Sequence, residues 1–533
     1  MSAPAAAPAA EREAAVPDVR PAAADRPRRW PTALGLLVLI AGSLYLRTRA
    51  IDAKLWIDEG LSIGIAHHPL TEIPSVLRLD GSPPLYYLLL HIWMWLVGGD
   101  GEARTHALSV LFAVGIVPVG WLTGRVLFGA RAGWATAALG ATLPFLTYYA
   151  QETRMYALVA LLGLSASAAF AAAFALRDRR ALPLFVVLGA ATIYTHNWGL
   201  FLMAGLGCAW LTLLAGARGG ERAALRRDGL LGFGGVALLY LPWLPSFISQ
   251  ARHTGAPWSE RPDLDAFVNG LQNLVGGAET GLVIALLGIG GLLTLRGSRE
   301  ERPQARAALA LGVALAVGVA LAWLASQISP AWAGRYFASF VGPALLLAGA
   351  GLVRFGRLGL VALAVVLVLW FDPRTSQLKG KSDVFRVTRA LNDYGLIGPR
   401  DLIVSVHPEQ GPVLRYYLDD QPDLQWADAL GPVDNPRVFD WRDALDRLRE
   451  ARPKRTLDRL APMVEPGRRL ILVLPIIRTS RWGAPWTELV RRRAPQWERA
   501  LDNDPRFERI APVPAFRGRP LPRGVRAVVY LRR

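Results

Sequence analysis

The chain has 533 residues, of which 52% are hydrophobic and 19% charged, and its mean hydropathy is +0.28. Long apolar runs alternate with Arg-rich turns, a pattern that excludes an ordinary soluble protein and is typical of a polytopic membrane protein. The net charge of +18 reflects Arg at helix ends and in the tails, so we expect no nucleic-acid partner, and the lone Cys208 excludes an intrachain disulfide or a cysteine-based zinc site.

Residues 1–29 consist mainly of Ala, Pro and Arg and predict a disordered cytoplasmic tail. After the tail come apolar runs close to the length of about 20 residues that a crossing helix needs. There are twelve such runs: 30–46, 83–98, 104–124, 132–150, 155–176, 181–196, 198–216, 229–248, 280–295, 307–325, 336–353 and 358–371.

The run 83–98 decides the topology, because counting it as a crossing moves every later loop to the opposite side of the membrane. If it lies in the interface instead, fifteen Arg residues of the later loops fall inside and four fall outside. The positive-inside rule favours that arrangement, and the Tyr and Trp residues of the run suit an interfacial helix. We therefore predict eleven crossings, a transmembrane domain over 30–372, and one long outer loop over 51–103.

The outer loop contains three acidic residues of interest, Asp58, Glu59 and Asp80. Carboxylates at a membrane surface are costly to desolvate, so they indicate a function. Asp58 and Glu59 could supply a general base or a metal ligand. The alternative is that they are an acidic cap of an interfacial helix.

Further polar residues fall on the same predicted side, at the ends of crossing helices. An Arg there can bind a lipid phosphate through a bidentate fork, or it can reach for lipid headgroups. His196 could be a ligand-binding or a packing residue, and Gln151 and Glu152 could contact a sugar. The candidate phosphate-binding residues are Arg104, Arg154 and Arg335.

The hydropathy changes after Phe371. Lys379 and Lys381 follow directly, and we expect them to anchor to lipid headgroups. Residues 373–533 predict an extracytoplasmic α/β domain with strands at 401–406, 469–475 and 525–531 and helices near 383–394, 440–451 and 485–501. We expect this domain to assist with the acceptor and not with the chemistry.

Several motifs in sequence order resemble a known family. A membrane helix is followed by WIDEG, by D-x-x-PPLYYLLL, by an Arg-led helix and by YYAQETRMYAL. This order resembles glycosyltransferase family 39, which includes protein O-mannosyltransferases and aminoarabinose transferases of the GT-C superfamily. The resemblance covers about residues 50–200.

The resemblance implies an α-helical GT-C fold and transfer of a sugar from a polyprenyl-phosphate donor on the outer face. It matches the essential acid of the family to Asp58, with Glu59 beside it, and the phosphate-linked Arg to Arg104. The family often has His before the double proline, where this chain has Ser82. His67, His68 or His91 could replace that His, and whether a divalent metal takes part stays open.

The predicted function is that of a multi-pass glycosyltransferase of a bacterial plasma membrane. It would transfer a mannose-like sugar to a protein, lipid or glycan acceptor, in contact with membrane lipids. A transporter or lipid flippase is the alternative, and a glycan polymerase or ligase is a weaker one. A transporter should carry charges in mid-helix or an internal repeat, and the sequence shows almost none of the former and no evident repeat.

Overall fold

The computed structural model describes residues 29–295, 301–371, 379–476, 483–513 and 524–533. All twelve predicted apolar runs lie on helices, which confirms the helical character of this part of the chain. The helices are α1 (Arg29–Thr48), α2 (Ile57–Ala66), α3 (Ile73–Asp80), α4 (Leu85–Val97), α5 (Glu102–Phe128), α6 (Ala130–Thr142), α7 (Pro144–Tyr149), α8 (Tyr156–Phe170), α9 (Leu182–Thr195), α10 (Gly199–Gly216), α11 (Gly219–Tyr240), α12 (Leu244–His253), α13 (Leu264–Leu274), α14 (Ala278–Leu293), α15 (Arg302–Ile328), α16 (Val341–Arg354) and α17 (Gly356–Trp370).

Six helical segments among the described residues are long and apolar enough to cross a membrane, or eight if each of two bent helix pairs is one span. The bent pairs are α11 with α12 and α13 with α14. The count of eleven crossings therefore stays a prediction. The predicted tail, apart from Arg29, lies outside the described residues.

Helix α4 differs from the longer helices around it. It has 13 residues, which give a length of about 20 Å, shorter than the roughly 30 Å of a bilayer core. It buries Tyr86, Tyr87 and Leu90 against the protein and exposes Trp95 and Leu96. This geometry agrees with an interfacial helix.

Small residues let the long helices approach closely, as is usual in membrane bundles. A Cβ added to Gly291 of α14 would lie 1.9 Å from the carbonyl oxygen of Gly351 on α16, and one added to Gly205 of α10 would lie 2.2 Å from that of Ala314 on α15. Large apolar side chains on the outside of α1, α11, α14 and α17 remain exposed. The bundle thus has a glycine-packed interior and an apolar surface suited to lipid.

The sheet lies wholly in the C-terminal region, which confirms a small α/β unit there. Its strand order is β3-β2-β1-β4-β6-β5; β1 is parallel to β2 and β4, and the remaining pairs are antiparallel. The strands are β1 (Leu402–Ser405), β2 (Gln425–Asp428), β3 (Gly431–Pro432), β4 (Arg469–Pro475), β5 (Phe507–Val513) and β6 (Val525–Arg532), and the helices are α18 (Val384–Asp393), α19 (Gly411–Tyr417), α20 (Ala444–Glu450), α21 (Pro453–Leu460) and α22 (Pro485–Asp502).

The C-terminal unit packs directly on α2 of the loop 51–103. A Cβ on Gly60 would lie 2.6 Å from the Cα of Val413, and one on Gly64 would lie 1.9 Å from the carbonyl oxygen of Arg437. The two glycines, four residues apart, therefore form one face of α2 that admits a neighbouring backbone. One hydrophobic cluster runs from the helical bundle into the C-terminal unit through this contact.

Candidate active site

Helix α2 is buried at every position except Asp58. The Asp58 side chain is 20% exposed, and its Oδ2 lies 3.7 Å from Nη2 of Arg335. Its main-chain oxygen accepts a hydrogen bond from Nη1 of Arg154 at 3.2 Å. Asp58 is thus held in place by its backbone while its partly exposed carboxylate faces Arg335. We refer to the region between Asp58, Arg154 and Arg335 as the cleft.

Arg335 lies opposite Asp58, in the 3-10 turn Gly334–Phe340 that leads into α16. Three rings surround its guanidinium, at 4.9 Å (Trp258), 5.4 Å (Tyr336) and 5.8 Å (Trp56) from Cζ. Among the described residues the guanidinium forms an ion pair with Asp58 but makes no hydrogen bond, and its Nε is buried without a partner. The guanidinium therefore has unused donors, and the aromatic rings keep it oriented.

Arg154 lies in the turn between α7 and α8. Its Nη1 donates to Ser62 Oγ at 2.9 Å and weakly to the Tyr87 hydroxyl at 3.4 Å, in addition to the main-chain oxygen of Asp58. Its Nε is buried and has no hydrogen-bond partner in the described part of the chain. Arg154 therefore braces the first turn of α2 and retains part of its donor capacity.

Asp80 and His196 complete the wall of the cleft. Asp80 ends α3, its Oδ2 is buried without a hydrogen-bond partner among the described residues, and burial raises its pKa while Ser82 and Arg154 oppose that rise. His196 accepts a hydrogen bond on Nδ1 from the Trp198 N–H at 3.1 Å, and its ring centre lies 4.7 Å from that of Tyr336. Both residues interact electrostatically with Arg154.

Glu152 is buried at the same turn, and its carboxylate acts electrostatically on Tyr149 and Tyr156. It is close to the cleft wall but is not open to a ligand in the way that Asp58 is.

Glu59 points away from the cleft, as the angle of about 100° between successive helical residues requires. Its fully buried carboxylate accepts from His106 Nε2 at 2.6 Å, from the Thr153 N–H at 2.9 Å, and from Lys381 Nζ at 3.0 and 2.9 Å. Burial alone would raise its pKa, but Lys381, His106 and Thr153 outweigh burial and hold the pKa well below its usual range. The structure thus places Glu59 inside the protein as an ionised anchor, with its oxygens already occupied.

Gln151 is also fully engaged. Its Oε1 accepts from the Ala50 N–H at 2.6 Å and its Nε2 donates to the Thr147 carbonyl at 2.9 Å. It ties the end of α1 to α7 and is fully buried.

Arg104 lies apart from the cleft. It is exposed at the start of α5 and donates to the carbonyl of Gly98 at 2.9 Å, while its own carbonyl accepts from Trp93 Nε1. No hydrogen bond, ion pair or ring contact joins Arg104 to Asp58 or Arg335 within the described ranges. The structure therefore does not bring the predicted phosphate residue Arg104 together with Arg154 and Arg335, because the side of α5 that faces α2 presents His106 instead.

The three histidines considered as replacements for the residue at Ser82 are engaged elsewhere. His67 pairs with Asp100 at 2.8 Å, His68 Nδ1 bonds the Gly64 carbonyl at 3.0 Å, and His91 Nδ1 bonds that of Ala66 at 2.8 Å. No group of three or more His, Cys, Asp or Glu residues with the geometry of a metal site occurs in the described part of the chain.

Two contacts were not predicted from the sequence. Lys381 is buried against Glu59 and does not anchor to headgroups, which corrects that expectation, whereas Lys379 is exposed. The ring of Trp258, on the segment before α13, covers Arg335. The scarcity of lysine, with four in the chain, is the only sequence signal that marks Lys381.

The cleft therefore combines one open carboxylate with two guanidinium groups that have unused donors. Guanidinium groups match the oxygens of a phosphate, and a carboxylate within reach of a hydroxyl can accept its proton. An arrangement of this kind suits the transfer of a group that leaves from a phosphate.

Comparison of the whole structure with solved structures shows the GT-C fold that the motifs predicted. ArnT from Cupriavidus metallidurans, solved bound to undecaprenyl phosphate, matches with a TM-score of 0.59 and 14% identity, over 94% of this chain and 98% of that chain. The match therefore includes the C-terminal region as well as the helical bundle.

Two further neighbours share the fold over a smaller part of their length. The oligosaccharyltransferase AglB from Archaeoglobus fulgidus, in complex with an inhibitory peptide and a dolichol-phosphate, has a TM-score of 0.52 and 12% identity, over 83% of this chain and 69% of that chain. The arabinofuranosyltransferase AftD from Mycobacteria has a TM-score of 0.50 and 14% identity, over 95% of this chain and 40% of that chain. No protein-family model and no curated protein sequence matches the chain.

Proposed function

We propose that the protein is a membrane glycosyltransferase that takes a sugar from a polyprenyl-phosphate donor and transfers it to an acceptor hydroxyl. The observation that carries the proposal is the pairing of Asp58, the one open residue of α2, with Arg335, whose guanidinium makes no hydrogen bond within the described residues. The three structural neighbours are named as sugar transferases or were solved with a polyprenyl or dolichol phosphate, and these titles support a lipid-linked donor here.

Asp58 is the proposed catalytic base. As the acceptor oxygen bonds to the sugar C1, the bond from C1 to the phosphate oxygen breaks, the phosphate leaves with the electron pair, and the hydroxyl proton passes to the Asp58 carboxylate. Arg335 and Arg154 stabilise the negative charge of the departing phosphate. Glu59 orients Asp58 from inside, and Asp80 and His196 line the space for the sugar.

The proposed donor sugar is mannose-like, and the acceptor is a protein, a lipid or a glycan. The proposed location is the outer face of a bacterial plasma membrane. The Arg distribution supports this side for the loop 51–103. The C-terminal unit packs on α2 of that loop through Gly60 and Gly64, so it belongs on the same side as the cleft.

The test is to incubate purified protein with radiolabelled polyprenyl-phosphate mannose and to measure labelled acceptor or released sugar. The substitution Asp58→Asn keeps the shape of the side chain and removes the base. We expect turnover to fall by roughly 10²–10⁴-fold while donor affinity stays near that of the wild type.

The matched control is Asp52→Asn, which removes an exposed acid from the same loop and should leave turnover unchanged. Full turnover in Asp58→Asn would show that the base is elsewhere, with Asp80 and Glu152 as the next candidates. No transfer or release by the wild-type protein would argue against the proposed donor.

A further inference from the structure

Lys381 belongs to the C-terminal part of the chain, yet its ammonium lies beneath the cleft. The side chain is fully buried, and Nζ lies 2.9 and 3.0 Å from the two carboxylate oxygens of Glu59 and 2.7 Å from the carbonyl oxygen of Gln151. An ammonium has three N–H donors, so these three acceptors use all of them. The Lys381 ammonium is therefore fully hydrogen-bonded within the protein.

The acceptors of Lys381 belong to the two segments that carry the proposed catalytic groups. Glu59 follows Asp58 in the first turn of α2, and Gln151 opens the turn that ends at Arg154. Glu59 joins the same segments a second time, because its Oε1 accepts from the Thr153 N–H at 2.9 Å. Lys381 and Glu59 therefore set the spacing between Asp58 and Arg154.

His106 supplies a third connection, from α5. Its Nδ1 lies 2.6 Å from the carbonyl oxygen of Ile51 and its Nε2 lies 2.6 Å from Glu59 Oε1. Both ring nitrogens thus face oxygen atoms, and His106 ties α5 to Glu59 and to the main chain at Ile51. The buried cluster of Lys381, Glu59 and His106 therefore connects three segments of the chain directly behind the cleft.

We infer that Lys381 is a positioning residue through which the C-terminal domain completes the active site. Its ammonium holds Glu59 and the main chain at Gln151 so that Asp58 and Arg154 face the same substrate. The inference rests on the proposed function and extends it, since the C-terminal domain then contributes to the chemistry as well as to acceptor binding. Removal of the C-terminal domain would take the Lys381 ammonium away from the buried Glu59 carboxylate.

The experiment compares Lys381→Met with Lys379→Met in the full-length protein. The two lysines are two residues apart, but Lys379 is exposed, so the pair separates a general loss of charge from loss of this contact. We expect Lys381→Met to lower kcat by about 10–100-fold, by analogy with the loss of side chains that orient metal ligands in other proteins. We expect Lys379→Met to leave kcat unchanged. Lys381→Arg retains the charge without the three-donor geometry and should recover part of the activity.

Two further measurements identify the route of the effect. Lys381→Met combined with Glu59→Gln should lose no more activity than the more damaging single variant, because both remove the same connection. Hydrogen–deuterium exchange should increase in the peptides covering residues 57–66 and 151–155 in Lys381→Met and in neither peptide in Lys379→Met.

The possible failures are distinguishable. An active wild type together with an equally active Lys381→Met would overturn the inference and leave the proposed function intact. An inactive wild type would count against the proposed function, and the exchange measurement would still decide whether Lys381 positions the two segments. If Lys381→Met does not fold, Lys381→Arg and Glu59→Gln provide the same comparison, and unchanged kcat and exchange in both would overturn the inference.

Discussion

Arg335 offers a direct test of the cleft, because its guanidinium contributes little to the fold by hydrogen bonding. Within the described residues its polar contact is the 3.7 Å ion pair with Asp58, in which both side chains are 20% exposed. Three aromatic rings lie within 5.8 Å of its Cζ and form no hydrogen bond with its N–H groups. Replacing Arg335 with Gln should therefore change ligand binding far more than stability.

The expected magnitude follows from the bonds that a phosphate would lose. A charge-assisted hydrogen bond contributes about 1.5–3 kcal/mol, so the loss of one corresponds to roughly a 10- to 150-fold weaker affinity. Arg335→Lys keeps the charge but not the planar fork, so its affinity should lie between those of Arg335→Gln and the wild type. The melting temperature should change little, since a partly exposed ion pair contributes about 0–1 kcal/mol.

The assay is isothermal titration calorimetry of undecaprenyl phosphate into the protein in nanodiscs. Arg261→Gln is the control, because it removes the same charge from an exposed position and reports general attraction of the anionic lipid. An affinity of Arg335→Gln within twofold of the wild type would refute the assignment of Arg335 to the phosphate. An equal loss in Arg261→Gln would show that the effect is nonspecific.

Two other substitutions test the C-terminal unit. Gly64→Ala would bring a Cβ to 1.9 Å from the Arg437 carbonyl oxygen, so we expect overpacking to lower the unfolding free energy by about 1–3 kcal/mol. The control is Gly42→Ala, because a Cβ at Gly42 would meet open space. Equal melting temperatures of the two variants would contradict the close docking. Burial raises the pKa of Asp428 to about 6, so its stabilisation is complete below the unfolded value of 3.8 and is lost as pH rises through about 6. Asp428→Asn should therefore slow hydrogen–deuterium exchange of residues 425–432 at pH 7.5 and show little effect at pH 4. The gain in the free energy of local opening should be at most about 3 kcal/mol, as expected for a pKa that is raised from 3.8 to about 6. Equal slowing at both pH values would refute the role of the charge.

The long elements could be predicted from the sequence because their signals are local. Every apolar run proved helical, and the three predicted strands correspond to β1, β4 and β6. Strands β2, β3 and β5 were missed. β2 and β3 have four and two residues, too few for a periodic pattern. β5 has the adjacent charges Glu508 and Arg509 and contains Pro512, so it lacks a clear alternation.

The site was predictable only in part, for a physical reason. The residues that face the cleft sit in short motifs, so Asp58, Arg154 and Arg335 could be selected by residue type and position. The pairing of Glu59 with Lys381 could not be predicted. The two residues are 322 positions apart in the chain, and their pairing depends on the docking of two domains. The phosphate-binding role of Arg104 stays a prediction, because its side chain bonds the carbonyl of Gly98 and no described contact connects it with Asp58 or Arg335.

The contacts beneath α2 also determine when the site can form during synthesis. Leu55 bonds the Tyr417 hydroxyl across 362 residues, and Gly64 packs on Arg437. The loop 51–103 precedes most of the bundle helices in the chain, whereas Tyr417 and Arg437 follow all of the described ones. We therefore expect this loop to become fully ordered only after the C-terminal unit has been translated and has folded onto it.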